Sequence, residues 1–246
     1  MHPILFVLGP ITIYSFGFAL AVAFLVCAFL MSRDARRLNI SSDVIYDFVF
    51  WSALAGILGA RLFYILLNWD FFSQNPGEFF QIQHGGLAWQ GGLIVGIPSA
   101  IFYLKNKKLP VLPMLDLASP YAALGQAIGR IGCFLNGCCY GQPAAWGPYC
   151  PVHQDHLHPT QLYESFGLLI VFFVLKNLSR KKYSPGSLVV TYLMSAAAIR
   201  FVVQFFRYDY DPVLLGLGLF QWICVGVFVS VVFLLNYLKK QNGLAR

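Results

Sequence analysis

The chain has 246 residues, 58% hydrophobic and 17% aromatic, and only 11% carry a formal charge, against about 25% in soluble domains. With a mean hydropathy of +0.66, the composition excludes a soluble domain and points to a polytopic all-α membrane protein, one bundle forming a single domain over residues 1–246. The net charge of +7 would suggest nucleic acid in a soluble protein; here it reflects loop topology, and no nucleic-acid partner is expected.

The amino terminus lacks the basic leader of a signal peptide, since only His2 precedes the first apolar run. Ala19-Leu20-Ala21 mimics a cleavage site, but apolar sequence continues to Met31, so a retained first helix is expected. A span needs about 20 mostly apolar residues. Seven segments qualify: Ile11–Met31, Val44–Leu67, Gly86–Leu104, Pro113–Leu135, Thr160–Leu178, Gly186–Phe206 and Val213–Leu238. The longest connection, Asn136–Pro159, is rich in Gly, Pro, Cys and His, and loops of that length are usually functional or disordered.

Basic residues set the orientation. Arg33, Arg36 and Arg37 lie in the first connection, and Lys105, Lys107 and Lys108 in the third. Lys176, Arg180, Lys181 and Lys182 surround the fifth, and Lys239, Lys240 and Arg246 end the chain. Thirteen of the 17 basic residues thus fall on one side. By the positive-inside rule the amino terminus is outside and the tail cytoplasmic, which agrees with seven spans.

The remaining four, Arg61, Arg130, Arg200 and Arg207, all fall near outer ends of spans. Intramembrane charges are functional unless they snorkel or pair inside the bundle. Arg207 has Asp209 and Asp211 beside it, and Arg61 is also a candidate structural residue. Asp47 and Asp116 lie at the cytoplasmic ends of their spans, leaving Glu164 as the acid at arginine depth. One carboxylate cannot neutralise the group. A guanidinium surplus at headgroup depth suits an anionic phospholipid, because arginine holds phosphate through two parallel donors.

Polar residues gather at the same depth. Gln83-His84-Gly85-Gly86-Leu87-Ala88-Trp89-Gln90-Gly91-Gly92 opens the third span, and His158-Pro159-Thr160-Gln161-Leu162-Tyr163-Glu164 opens the fifth. The paired glycines admit a ligand or a neighbouring helix to the backbone. Trp89 fits an aromatic belt, and Tyr163 is a candidate for the same belt or for the site. Cys27 and Cys224 read as small buried apolar residues. Cys150 is a candidate disulfide partner of Cys138 or Cys139 in an oxidising outer compartment. His153, His156 and His158 raise a zinc alternative, but the spacing fits no standard zinc pattern. No metal and no cofactor is expected.

The stretch Gly125–Gly141 organises the chain. Within it Gly129, Arg130, Gly132, Phe134, Asn136 and Gly141 match the signature Gly-Arg-x-(Gly/Ala)-Asn-Phe-x-Asn-x-Glu-x-x-Gly of the prolipoprotein diacylglyceryl transferases. The two Gly-Gly pairs, the His158–Glu164 run and the Arg200…Phe205-Phe206-Arg207 frame also resemble that family, in its order and over nearly the whole chain. The resemblance implies a multi-pass enzyme of the bacterial inner membrane. It implies phosphatidylglycerol as lipid donor and preprolipoprotein signal peptides as acceptors within the lipid bilayer. It further implies catalytic roles for Arg130, Arg200 and Gln90, and substrate-binding roles for Arg130, Asn136, Gly91, Gly92, Arg61, Arg207, Tyr163 and Glu164. His84, six residues before the family's histidine position, is a catalytic candidate that does not simply inherit that histidine's role. The chain departs from the family at acid and base positions. Gln90 stands where the family has histidine, Cys133 and Cys138 replace the signature's first Asn and its Glu, and Gln204 replaces a Glu. Ala196 and Phe16 replace tyrosines. A related transferase with another acceptor, and an anionic-lipid-binding protein without transferase activity, are the alternatives.

Overall fold

The computed structural model describes residues 2–8, 11–80 and 85–244, with side chains described except at 8, 11, 80 and 234–244. His84 lies outside the described residues. Among the described residues, seven helices have 18 or more residues: α1 (Ser15–Ala35), α2 (Ser42–Leu67), α4 (Trp89–Asn106), α5 (Val111–Asn136), α6 (Thr160–Leu178), α7 (Ser187–Gln204) and α8 (Leu219–Leu244). A short α3 (Trp69–Gln74) follows α2. Among the described residues, four helical stretches, Ser15–Leu38, Ser42–Leu67, Thr160–Leu178 and Ser187–Gln204, are long and apolar enough to cross a membrane. Large apolar side chains point outward in mid-helix: Leu25, Phe102, Phe166 and Phe173 are exposed. A surface of that kind is stable against lipid, not water.

Contacts divide the chain into two compact units, Met31–Met114 and Met1–Leu30 with Leu115–Arg246. In the first, α2 and α4 pack through glycines. A side chain at Gly91 would strike Gly59 and Phe63, and one at Gly59 would strike Val95 and the Gly91 carbonyl. Small residues of this kind let membrane helices approach to backbone contact. The neighbouring helix is therefore what the glycine at 91 admits. Two glycines with positive φ, Gly85 (87°) and Gly86 (81°), turn the chain before α4. This is why the helix starts at Trp89 and not at Gly86.

In the second unit, Ala123 of α5, Val171 and Leu175 of α6 and Leu188 of α7 form the apolar core. Ser165 of α6 donates to the Ala127 carbonyl of α5 at 2.9 Å. Asp116 of α5 is fully buried and accepts from the amides of Gly186 (2.6 Å), Leu188 (2.9 Å) and Val189 (2.9 Å) at the start of α7. These are orphan donors of a helix amino terminus, and a carboxylate suits both their hydrogen bonds and the dipole.

Three small hairpins complete the second unit. β1 (Ile4–Leu8) pairs with β2 (Ile11–Tyr14), so the first helix begins at Ser15 and not at Ile11. β5 (Pro212–Leu214) pairs with β6 (Leu217–Gly218), delaying α8 to Leu219. β3 (Tyr149–Cys150) pairs with β4 (Asp155–His156) inside the Asn136–Pro159 connection. That connection is ordered by further backbone bonds, His158 with Gly141 and Gln142 (3.0 Å each) and Gln142 N–H with the Phe206 carbonyl (2.9 Å). A side chain at Gly141 would strike the Phe206 carbonyl, His158 and Thr160, so the contact requires glycine.

Candidate active site

The buried face of α6 changes character along its length. Thr160, Gln161, Glu164 and Ser165 begin it, and Leu168, Val171 and Leu175 continue it. Helical spacing puts all seven on one side, so the same face that packs the core also presents a carboxylate at its amino-terminal end. Glu164 meets two arginines there. Its Oε2 pairs with Nε of Arg130, from α5, and its Oε1 accepts from Nη1 of Arg200, from α7, at 2.8 Å. The Arg200 guanidinium also lies 5.0 Å from the centre of the Phe220 ring, within cation–π reach.

Exposure decides what this triad can bind. Only 5% of the Glu164 side chain is accessible, against 28% for Arg130 and 21% for Arg200. The carboxylate is satisfied from within, and both arginine side chains remain partly accessible. Two cations on one anion leave a net positive charge, which an anionic ligand can take through planar forks.

Arg207 is bound differently. Its Nε and Nη2 grip both oxygens of Asp209 at 2.7 and 2.8 Å, and its Nη1 donates to the Cys139 carbonyl at 3.2 Å. Burial is the largest single influence and opposes its charge, but the Asp209 carboxylate, with Cys139 and Glu164, raises its proton affinity above the ordinary arginine value. Reciprocally, the Arg207 hydrogen bond holds the Asp209 carboxyl below the usual carboxylate value. Of the readings open for Arg207, the pairing with an adjacent aspartate is present. Arg207 locks the post-α5 loop to the end of α7.

That loop carries Asn136, half-buried at the end of α5, and two cysteines. Gln161 donates to the Cys138 carbonyl at 2.6 Å and Thr160 to the Cys139 carbonyl at 2.9 Å. The Cys133 and Cys138 thiols hydrogen-bond Cys139 and hold its thiol well below the ordinary value, with Arg130 and Arg207 acting in the same direction. All six cysteines are free thiols, so the Cys150 disulfide is not formed. Cys150 is fully buried on β3, and Cys138 and Cys139 group instead with Cys133. The histidines are engaged elsewhere. His158 Nδ1 meets the Tyr163 hydroxyl at 3.1 Å, His156 Nδ1 meets the Gly147 carbonyl at 2.7 Å, and His153 lies against Tyr140. Tyr163 also stacks on Trp146.

In the other unit, Arg61 is buried and donates to four carbonyls: Glu78 (2.5 Å), Gly85 (2.8 Å), Gly86 (3.1 Å) and Phe79 (3.2 Å). Phe72 lies 5.3 Å from it. Arg61 thus clasps the loop before α4 and lines a cavity of about 340 Å³ with Tyr64, Phe71 and Glu78. Gln90 is exposed in the first turn of α4, Gly91 is buried against α2, and Gly92 is half-buried.

Sequence reasoning placed Arg130, Arg200 and Glu164 at one depth, and the structure joins them. It named Gln161 only within the His158–Glu164 run and Gln204 only as a replaced Glu; both are 1% exposed, each with a side-chain oxygen lacking a hydrogen-bond partner. The helical spacing Gln161–Glu164 was the available signal. Gln204, at the position of the replaced Glu, turns its amide to Asp209.

A family model described as prolipoprotein diacylglyceryl transferase matches residues 3–237. The chain is similar to proteins named phosphatidylglycerol–prolipoprotein diacylglyceryl transferase. The one from Clostridium tetani is 34% identical over 96% of this chain and 97% of its own length. The one from Streptococcus equi subsp. zooepidemicus is 31% identical over 100% and 98%. The one from Trichormus variabilis is 33% identical over 84% and 79%.

Proposed function

The chain belongs to the prolipoprotein diacylglyceryl transferase family, and we infer that it transfers a diacylglyceryl group from phosphatidylglycerol to the lipobox cysteine thiol of preprolipoproteins, the first step of lipoprotein maturation. The observation that carries the reading is the sharing of Glu164 by Arg130 and Arg200, with both arginine side chains partly accessible.

In the reaction the thiol sulfur bonds to a glycerol carbon. The bond from that carbon to the phosphate oxygen breaks, and glycerol phosphate leaves with the electron pair. The thiol gives up its proton to a base. Negative charge grows on the departing phosphate, and fixed donors aimed at it stabilise the transition state more than the ground state. Arg130 and Arg200 are the donors. Glu164 sets their planes in advance, so they do not reorganise as the charge develops. Arg207 holds the loop bearing Asn136, and Asn136 and Tyr163 contact substrate. For Gln90, Gly91, Gly92 and Arg61, catalytic and substrate-binding roles are assigned by the resemblance alone, and His84 is a catalytic candidate by its place in the chain.

The whole chain of 246 residues acts as one domain of seven spans in the bacterial inner membrane, amino terminus outside and tail cytoplasmic. The clustering of basic residues on one side supports this. Lipid transfer to a lipobox signal peptide by the purified protein tests the function. A thioether-linked diacylglyceryl product from phosphatidylglycerol is expected. Tight phosphatidylglycerol binding with no product would contradict the transferase and favour a lipid-binding role.

A further inference from the structure

Two of the positions at which the chain leaves the family signature, Cys133 and Cys138, meet a third thiol in the structure. The sulfurs of Cys133, Cys138 and Cys139 all lie within 4.8 Å of one another. Cys133 is buried on the last turn of α5, and Cys138 and Cys139 are half-buried just beyond it. We propose that these three cysteines form a site for one thiophilic cation, Cu(I) or Zn(II), held by three thiolates with an open fourth position.

The geometry fits such an ion with little movement. Metal–sulfur bonds of about 2.3 Å place three sulfurs about 4 Å apart, so small side-chain rotations close the present spacing. The backbone is already set. Gly137 (φ 74°) ends α5 by reversing the chain, with the Cys138 amide on the Cys133 carbonyl at 3.1 Å. Cys139 is held at φ 63°, a left-handed conformation uncommon for a residue with a side chain. Gln161, Thr160 and Arg207 grip the Cys138 and Cys139 carbonyls, which fixes the sulfurs on one side of the loop. Pre-organisation of this kind is what a metal site needs from its surroundings.

Charge and ligand type agree. Thiolates select Cu(I) and Zn(II) over harder cations, and the carboxyl end of α5 favours a positive ion. A trithiolate complex of either ion is net negative, and the Arg130 and Arg207 charges that act on Cys139 offset it. Among the described residues no histidine or carboxylate joins the three sulfurs. This distinguishes the site from one built on the nearby histidines and leaves three-coordinate Cu(I) or Zn(II) with a water.

The test uses the whole protein in detergent, reduced under anaerobic conditions. It is titrated with Cu(I) and, separately, with Zn(II), each against a chromophoric chelator, and X-ray absorption at the metal edge counts sulfur neighbours. One equivalent of one ion is expected, with three sulfurs, and the better competitor identifies the metal. Cys138→Ser and Cys139→Ser should each weaken binding at least about tenfold, while Cys150→Ser and Cys224→Ser should not. Circular dichroism of each variant separates lost binding from lost fold. Failure of both ions to bind stoichiometrically, or binding that survives both loop substitutions together, overturns the site. A disulfide within the trio whose reduction restores no metal uptake overturns it too. None of these outcomes depends on transferase activity.

Discussion

Glu164 is the acid that a bundle of arginines requires, and its burial is tolerable only because two guanidiniums replace its water. The need for a partner was legible in the sequence, since four arginines stood at one depth with a single acid. The assignment was not, because Arg200 and Glu164 are 36 positions apart and only tertiary packing joins them. Arg61 shows the opposite case. Its depth resembled that of Arg130, yet its partners are backbone carbonyls, which carry no sequence signature. At this scale the Arg207–Asp209 pair makes a pH prediction. The folded-state affinity of Asp209 for its proton is depressed below the ordinary value of 3.8. The pair therefore stabilises the protein above that value, and the contribution is lost as pH falls through the depressed folded value. Thermal melting followed from pH 7 to pH 3 (roughly the span of an ordinary carboxylate titration) should fall less steeply for Asp209→Asn than for wild type. Equal slopes would show that the pair adds nothing.

The helices themselves were readable, because a membrane span is specified by its own length and apolarity. Val44–Leu67 was expected where α2 covers Ser42–Leu67, and α6 covers Thr160–Leu178 as expected. Errors fell at the ends, where hairpins took residues assigned to helices. The run Ile11-Thr12-Ile13-Tyr14 pairs with Ile4–Leu8, as β-branched and aromatic residues favour, although its hydropathy alone suits a span. The Asn136–Pro159 connection was marked by length as functional or disordered; its order comes from bonds to the end of α7, invisible locally. The cap on α7 was equally hidden: Asp116 lies 70 residues before Gly186. Asp116→Ala strips three donors of their acceptor. It should cost about 1–3 kcal/mol, seen as a lower melting temperature, with transfer activity retained below the new transition. Unchanged melting would mean that water replaces the carboxylate.

For the molecule as a whole, composition and the distribution of basic residues carried most of the argument, since lipid imposes its demands on every span at once. The orientation is testable by labelling. Cys150 is buried, so the reporters are Asp155→Cys and Lys181→Cys, both at exposed positions. In spheroplasts an impermeant thiol reagent should label the former beyond the unsubstituted background and the latter only after lysis. The reverse would invert the topology. Activity is also a property of the whole molecule, and it turns on whether Arg130 and Arg200 act as planar phosphate clamps or merely as charge. Lysine keeps the charge and loses the fork. A charge-assisted contact contributes about 1.5–3 kcal/mol, and more where charge develops in the transition state. The decisive measurement is diacylglyceryl transfer from phosphatidylglycerol to a lipobox peptide by purified Arg130→Lys and Arg200→Lys proteins, with Arg33→Lys as control. Each site variant should lose about tenfold to a hundredfold in rate at unchanged yield and melting temperature, and the control nothing. Full activity in both lysine variants would contradict the clamp.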